Sequence, residues 1–372
     1  MKIGILTYHF TNNVGSALQA FALQRAVSAL GAECFIIDYQ KRGWRKADNF
    51  NYLRPAKKKF GIAGKIIWIF FVPLLEYRRF AFGTFRKKFL NLTKSKYETS
   101  QQLAVIAGNY DKFIVGSDPV WNPTNVKFDW AYFLDFVTEA SKKIAYAPSF
   151  GLSELPPDIA GRVASFINLF GHISVRESQG QDLIKTLTDR DVPVVLDPTF
   201  LLNENEWRSV AKLPRISGYI FVYLRHRSPS IEKFVIELSK FTGLEIVQVT
   251  GIFKKVPKGQ RVRDPNPLEW LGYIMNAEYV VTNSFHGIAF SVNFNKQFFV
   301  EPIKDSTQEK HNTRIFSILD QFGLKERIIS RISDISNIGK IDYSSINMKL
   351  DAKRSESIEY LKNSLYGGEP LC

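Results

Sequence analysis

The segment best suited to acid–base chemistry is Thr282-Asn283-Ser284-Phe285-His286-Gly287, which ends an apolar strand pattern and begins a helix pattern. His286 is predicted in the first helical turn, where free backbone N–H groups and the helix dipole favour an anion. An imidazole there can donate to phosphate or carboxylate, or act as a general acid, with Asn283 and Ser284 as further substrate contacts. A structural interpretation stays open, in which Ser284 caps the helix and His286 packs beside it.

A second polar segment, Gly116-Ser117-Asp118-Pro119-Val120-Trp121-Asn122-Pro123, also follows a strand pattern. Asp118 can orient a substrate hydroxyl or accept its proton, and Ser117 is a neighbouring candidate contact. Trp121 can stack on the face of a sugar. The alternative is an Asx-type turn with Trp121 in the core.

A third cluster, Asn12-Asn13-Val14-Gly15-Ser16, leads into a helix pattern near the start of the chain. Asn13 and Gly15 are the candidate contacts if this turn binds a small anion or a sugar. The cluster does not match G-x-G-x-x-G, which argues against a dinucleotide site. A helix cap followed by a tight turn explains the same residues equally well.

Several arginines stand where strand patterns end or helix patterns start. An acidic donor that carries both a phosphate and a carboxylate needs at least two such guanidinium groups. Any single arginine is more often part of a surface ion pair. The candidates are Arg176, Arg225, Arg227 and Arg314.

Strand and helix patterns alternate along the chain, which predicts an α/β protein with parallel sheets and right-handed crossovers. A stretch without periodicity after Asp197-Pro198-Thr199 suggests a boundary between two Rossmann-like domains, 1–205 and 206–372. We expect a basic helical insertion at about 42–108 in the first domain and a C-terminal helix in the second. In such sheets ligands bind at the carboxyl ends of the strands, where these polar segments lie.

The charge balance favours anionic partners, since 50 Lys and Arg residues against 36 Asp and Glu residues give a net charge of +14. Basic and aromatic residues are concentrated in 42–88. This stretch fits a helical pair with a solvated basic face or, as a second interpretation, contact with an anionic membrane. No nucleic-acid-binding pattern accompanies it, so we expect no nucleic-acid partner.

Cysteine and leader patterns predict a cytoplasmic protein. The two cysteines, Cys34 and Cys372, cannot form a disulfide framework or a C-x-x-C metal site. Neither a secretory leader nor an apolar run of about 20 residues is present. No convincing set of metal ligands is found, so we expect no metal and no bound cofactor.

Taken together, these segments resemble those of the polysaccharide pyruvyl transferase family over nearly the whole chain to about residue 330. The order and spacing of the motifs carry the resemblance. They are Asn13-Val14-Gly15-Ser16-Ala17-Leu18-Gln19, Ile114-Val115-Gly116-Ser117-Asp118, Val120-Trp121-Asn122-Pro123, Ala145-Tyr146-Ala147-Pro148-Ser149-Phe150-Gly151, Ser174-Val175-Arg176-Glu177, Val195-Leu196-Asp197-Pro198-Thr199, Thr282-Asn283-Ser284-Phe285-His286-Gly287 and Asn312-Thr313-Arg314.

The resemblance implies a two-domain, glycosyltransferase-B-like architecture that uses phosphoenolpyruvate (PEP) as donor, with His286 as the acid and Arg176 as a PEP clamp. The first domain would bind the acceptor and the second the donor. Some family members carry an arginine two places before this histidine, where this chain has Ser284. Phosphate binding is then expected to shift to Arg176, Arg314 or lysines.

The expected function is transfer of a pyruvyl ketal from PEP to a sugar of a cell-surface or exopolysaccharide precursor. A lipid-linked acceptor would bring the enzyme to the inner face of the plasma membrane. Two alternatives are a nucleotide-sugar-dependent glycosyltransferase of the same architecture and a non-catalytic saccharide-binding protein.

Overall fold

The structure, a computed structural model, describes residues 1–44, 63–226, 228–250, 259–302, 312–332 and 334–367. For 63–75 and for 250 only the backbone is described. The chain divides into two compact units. The first holds the described residues of Met1–Arg54, Phe82–Leu201 and Asp351–Cys372, and the second those of Pro55–Ala81 and Leu202–Leu350.

The first unit is built on a five-stranded parallel sheet with the strand order β2-β1-β3-β4-β5. Its strands are β1 (Lys2–Leu6), β2 (Glu33–Ile36), β3 (Lys112–Val115), β4 (Lys143–Ala145) and β5 (His172–Ile173). The helices that lie wholly in this unit are α1 (Val14–Ala29), α3 (Ser100–Ile106), α4 (Pro157–Ile167) and α5 (Ser178–Thr188). The three central strands are buried on both faces, so their sequences read as apolar runs.

The second unit repeats this plan with the strand order β10-β9-β6-β7-β8, again all parallel. Its strands are β6 (Ile220–Tyr223), β7 (Ile246–Thr250), β8 (Gln260–Arg263), β9 (Tyr279–Thr282) and β10 (Gln297–Val300). Its helices are α6 (Glu204–Arg208), α7 (Pro229–Thr242), α8 (Pro267–Asn276), α9 (Phe285–Asn293) and α10 (Thr313–Phe322). The predicted α/β class with two Rossmann-like sheets is confirmed.

The segment predicted as a helical insertion contains α2 (Ala63–Phe89), which continues through Pro73, and α3. Residues 45–62 of this prediction lie outside the described part of the chain. The last turns of α2 pack on the first unit, where Phe82 and Phe85 are buried and the ring centroids of Phe85 and Phe21 lie 6.3 Å apart. No helix within the described ranges is both long and apolar enough to cross a bilayer.

The C-terminal helix, α11 (Tyr343–Tyr366), does not belong to the second unit alone. Its second half is tied to the first sheet, because Tyr360 donates to the carbonyl oxygen of Ala145 at 3.0 Å and the Leu196 N–H donates to Ser357 Oγ at 3.0 Å. The sequence interpretation had assigned this whole helix to 206–372. Side-chain hydrogen bonds of this kind carry no periodic signal in the sequence.

Two mid-helix glycines test how closely α8 is packed. A Cβ atom on Gly272 would lie 2.0 Å from the carbonyl oxygen of Lys212, whereas one on Gly161 in α4 would meet nothing within 4 Å. We expect Gly272→Ala to lower the free energy of unfolding by about 1–3 kcal/mol through overpacking. Gly161→Ala, the matched control, should raise it by about 0.5–1 kcal/mol. Urea unfolding followed by circular dichroism measures both, and equal values would refute the described packing.

Candidate functional site

The site in the second unit lies at the carboxyl edge of its sheet. Thr282 is in register with Tyr223 on one neighbouring strand and with Val300 on the other. The residues that follow β6, β9 and β10 therefore meet at one edge, which is where open α/β sheets bind ligands.

Asn283 joins two of these strand ends. Its Oδ1 accepts from the backbone N–H of Arg225 at 2.7 Å, and its Nδ2 donates to the carbonyl oxygen of His226 at 2.9 Å. Asn283 is buried, while Arg225 and His226 are exposed. The Asn283 amide thus holds the loop at Arg225 and His226 beside the start of α9. Its two hydrogen bonds position the backbone of the predicted site.

The turn from β9 into α9 is fixed by hydroxyl groups. Thr282 Oγ1 donates to the carbonyl oxygen of Tyr223 at 2.6 Å and accepts from the Ser284 N–H at 3.1 Å. Ser284 caps α9, since its Oγ accepts from the Gly287 N–H at 3.4 Å. A Cβ atom on Gly287 would lie 2.4 Å from Thr282 Oγ1, so only glycine permits this close approach.

His286 is the second residue of α9 and is 8% exposed. Its ring is perpendicular to that of Phe285, with the centroids 5.2 Å apart. The first turn of α9 contains no acidic residue, so its positive end is not matched by a carboxylate of that turn. The cap at Ser284 and a histidine at an anion-favouring helix end, which the sequence offered as alternatives, are therefore both present.

The helix that follows β6 is different, because Glu301 supplies a carboxylate to its N-terminus. Glu301 is buried and accepts from Ser228, the N-cap of α7, and from Ser230 Oγ at 2.5 Å. Of these two helix ends, α7 receives a carboxylate from the protein itself. A helix end that already receives a carboxylate is less attractive to a further anion.

Arg314 is the second residue of α10 and is partly exposed. α10 follows β10 in the chain and contacts α9, and its first turn also lacks acidic residues. Arg227 lies outside the described residues.

In the first unit, Arg176 lies in a buried ionic cluster. Its Nη1 is 3.0 Å from Asp197 Oδ2 and 3.9 Å from Asp118 Oδ1, and its Nε is 3.3 Å from Glu177 Oε2. Ser117 Oγ accepts from Arg176 at 3.2 Å and donates to Asp197 at 2.8 Å. Burial acts to lower the pKa of Arg176, but the carboxylates of Glu177, Asp197 and Asp118 together raise it above its ordinary value.

This cluster changes the interpretation of Arg176. One guanidinium already faces three carboxylates, so it neutralises the protein's own charge before it can attract an anionic donor. The placement favours Arg176 as the residue that organises Ser117 and Asp118 over its predicted role as a PEP clamp. Glu177 and Asp197 stood in motifs of the sequence. Glu177 directly follows Arg176, whereas the pairing of Arg176 with Asp197 depends on the bridge between Val175 and Val194 and could not be read from spacing.

Asp118 has the features of a functional carboxylate. Its φ angle is 80°, which is strained for a residue with a side chain, and it is only 4% exposed. Among the described residues, its Oδ2 has no hydrogen-bond partner. A buried acceptor without a partner is costly unless a ligand or water satisfies it.

Trp121 is a core residue, which corrects its interpretation as a sugar-stacking group. It is fully buried, its Nε1 donates to the carbonyl oxygen of Tyr132 at 2.8 Å, and its ring stacks on Phe133 with centroids 5.0 Å apart. The alternative interpretation from the sequence, with Trp121 in the core, is correct for this residue.

For Asn13 and Gly15 the structure shows the helix cap that the sequence offered as the alternative to a ligand site. Asn13 is the N-cap of α1, and its Oδ1 accepts from the Gly15 N–H at 2.9 Å. One buried pair at the same edge was missed by the sequence interpretation: His9 Nε2 lies 3.1 Å from Asp38 Oδ1. Within the part of the chain that the structure describes, no three His, Cys, Asp or Glu side chains could together hold a metal ion.

Two parallel α/β units with polar strand ends define a protein of the glycosyltransferase-B-like class. The chain belongs to the polysaccharide pyruvyl transferase family, whose family model matches residues 13–303. No curated protein matches the sequence at a significant level.

Solved structures align with this chain at low identity. A putative UDP-N-acetylglucosamine 2-epimerase from Listeria monocytogenes is 12% identical with a TM-score of 0.50, over 99% of this chain and 91% of that one. UDP-GlcNAc 2-epimerase from Methanocaldococcus jannaschii is 14% identical with a TM-score of 0.49, over 95% and 100%. The E. coli heptosyltransferase WaaC is 13% identical with a TM-score of 0.41, over 95% and 100%.

The ionic cluster predicts a large cost for removing its cation. Arg176→Gln leaves three carboxylates in one buried place, and we expect the free energy of unfolding to fall by about 3–5 kcal/mol. The matched control is Arg162→Gln, since Arg162 lies 4.0 Å from the centroid of the Trp130 ring, a contact worth about 0.5–1 kcal/mol. Chemical unfolding measures both variants. An Arg176→Gln protein as stable as the control would contradict the cluster.

Proposed function

We propose that this chain transfers a pyruvyl ketal from PEP to a pair of hydroxyls on a sugar of a polysaccharide precursor. Family membership supports transfer of a pyruvyl group to a saccharide. The observation that carries the choice of donor is His286, an imidazole at the start of a helix whose first turn has no acidic residue. That position suits a small dianion that must also receive a proton.

The proposed reaction has two additions and one departure. An acid protonates C3 of PEP, and C2 becomes an electrophilic, oxocarbenium-like carbon. One sugar hydroxyl forms a C–O bond to C2 and loses its proton. The C2–O bond to phosphate then breaks, phosphate leaves, and the second hydroxyl closes the cyclic ketal with loss of its own proton. One of the two released protons restores the acid and the other leaves with the phosphate.

His286 is the proposed proton donor to C3. Nearby cations must hold the phosphate and carboxylate of PEP, because Ser284 stands where some relatives have arginine. Arg225 fits this task, since Asn283 fixes its backbone beside the start of α9. Arg314, at the start of the neighbouring helix α10, is the second proposed cation, and two guanidinium groups match the two anionic groups of PEP.

The first unit is proposed to bind the acceptor. Asp118 would orient a sugar hydroxyl or take its proton through Oδ2, and Arg176 and Ser117 would hold Asp118 in place. We further propose that the acceptor is linked to a lipid and that the protein works at the inner face of the plasma membrane. The net charge of +14 supports attraction to an anionic surface.

The acid role predicts a specific kinetic loss. In His286→Gln we expect kcat for acceptor-dependent phosphate release from PEP to fall about 10²–10⁴-fold, as for loss of a general acid. His172→Gln is the matched control, since His172 begins β5 in the first unit, and it should keep normal activity. UDP- and GDP-sugars are run in parallel. Turnover of a nucleotide sugar without turnover of PEP would identify a glycosyltransferase instead.

The phosphate-binding role of Arg225 predicts a different signature. Arg225→Gln should raise KM for PEP about tenfold or more, because a charge-assisted hydrogen bond contributes about 1.5–3 kcal/mol, while kcat changes little. Asn283→Asp should act in the same direction, since it loses the donor to the His226 carbonyl. Arg208→Gln, at an exposed ion pair on α6, is the control. An unchanged KM in Arg225→Gln excludes this residue from the site.

A further inference from the structure

One face of α2 exposes large aromatic side chains to solvent. Tyr77 is 53% exposed and Phe80 is 73% exposed, and both lie in the described part of the helix. Thr84, Lys87 and Lys88 are also exposed. At 100° per residue these five positions fall within one quarter to one third of the helix circumference, so they form a single stripe. We call it the α2 stripe.

Other side chains in the described part of α2 contact the protein, and the α2 stripe lies on a different face of the helix. Phe82 and Phe85 are buried on another face of α2. Arg78 Nη1 lies 2.8 Å from Asp264 Oδ1, a buried carboxylate just after β8. A well-packed aromatic face would account for Phe82 and Phe85, but it does not account for an exposed phenylalanine and tyrosine next to lysines.

Basic residues outnumber acidic residues in α2. Its sequence contains six Lys and Arg residues and one Glu, a net charge of +5. The Glu is Glu76, and it is already paired with Arg79. The long helix α11 makes the contrast, since its four Lys and Arg residues are nearly balanced by three Asp and Glu residues. Arg78 is paired with Asp264, and Lys87 and Lys88 are the exposed cations of the α2 stripe.

We propose that the α2 stripe docks on an anionic lipid bilayer, with Tyr77 and Phe80 in the interface and Lys87 and Lys88 against the headgroups. Aromatic side chains partition into the membrane interface, and each lysine near an anionic surface adds to the attraction. A convex helix lies flat on a bilayer, whereas base stacking on aromatic side chains uses grooves and sheet platforms. The convex shape of the helix therefore favours a lipid bilayer over nucleic acid as the partner of the α2 stripe.

This inference deepens the proposed lipid-linked acceptor and rests on it for its biological meaning, but the docking can be measured without any reaction. Sedimentation uses the full chain with phosphatidylcholine vesicles that contain or lack phosphatidylglycerol, at low and at high salt. We expect the protein to pellet with the anionic vesicles at low salt and to be released by salt.

Variants assign the binding to the α2 stripe. Lys87→Gln with Lys88→Gln should raise the lipid concentration needed for half-maximal binding about 25-fold, which is about fivefold for each lysine. Tyr77→Ser with Phe80→Ser should weaken the binding that remains at high salt. The controls are Phe241→Ser on α7, where the aromatic ring is 58% exposed, and Lys349→Gln with Lys362→Gln on α11.

Several results would overturn the proposal. It fails if anionic vesicles do not pellet the protein at low salt, if the control variants lose as much binding as the α2 variants, or if RNA binds and vesicles do not. PEP-dependent phosphate release with a soluble acceptor is measured on the same preparations. Activity without vesicle binding refutes the docking alone, and vesicle binding without activity refutes the donor alone.

Discussion

The close approach of α9 to β9 is the constraint on which the second unit's site depends. Only a residue without a side chain fits at Gly287, where an added Cβ would lie 2.4 Å from Thr282 Oγ1. That hydroxyl bonds to the end of β6, and Asn283 bonds to the loop beyond it. Three consecutive polar residues thus join two strands and a helix before any substrate is present. His286, two residues after Ser284, takes its backbone position from this framework.

The carboxyl edges of the two sheets differ in how charge is arranged. In the first unit, Arg176 offsets the charge of three buried carboxylates, and Asp118 is one of them. A carboxylate that orients a hydroxyl must be held rigidly, and it needs no net attraction for an anion. In the second unit, the start of α9 has no acidic residue in its first turn and lies beside the exposed Arg225, an arrangement that favours an anion. The proposed assignment of the donor to the second unit and of the acceptor to the first rests on this electrostatic difference.

Much of the fold follows from the sequence because buried parallel strands and amphipathic helices have distinct periods. The polar segments were correctly expected at strand ends, since apolar runs stop there. What the sequence could not supply was the partner of each side chain. Trp121 follows a polar turn just as a sugar-binding residue would, yet its ring lies in the core. Arg176 meets Asp197 because the segment just before Asp197 pairs with Val175 beyond the end of β5. The C-terminal helix returns to the first sheet through a few hydrogen bonds that leave no pattern.

The position of Glu301 bears on which donor the second unit favours. A nucleotide sugar brings a diphosphate, whose charge is best spread over more than one helix end or cation. Here the start of α7 already receives the carboxylate of Glu301, through Ser228 and Ser230. A second anion at that helix end would meet like charge in a buried setting, which is costly. The end of α9 has no such acid in its first turn, and Arg225 is held beside it. The proposal of PEP as donor, in preference to a nucleotide sugar, rests on this difference between the two helix ends.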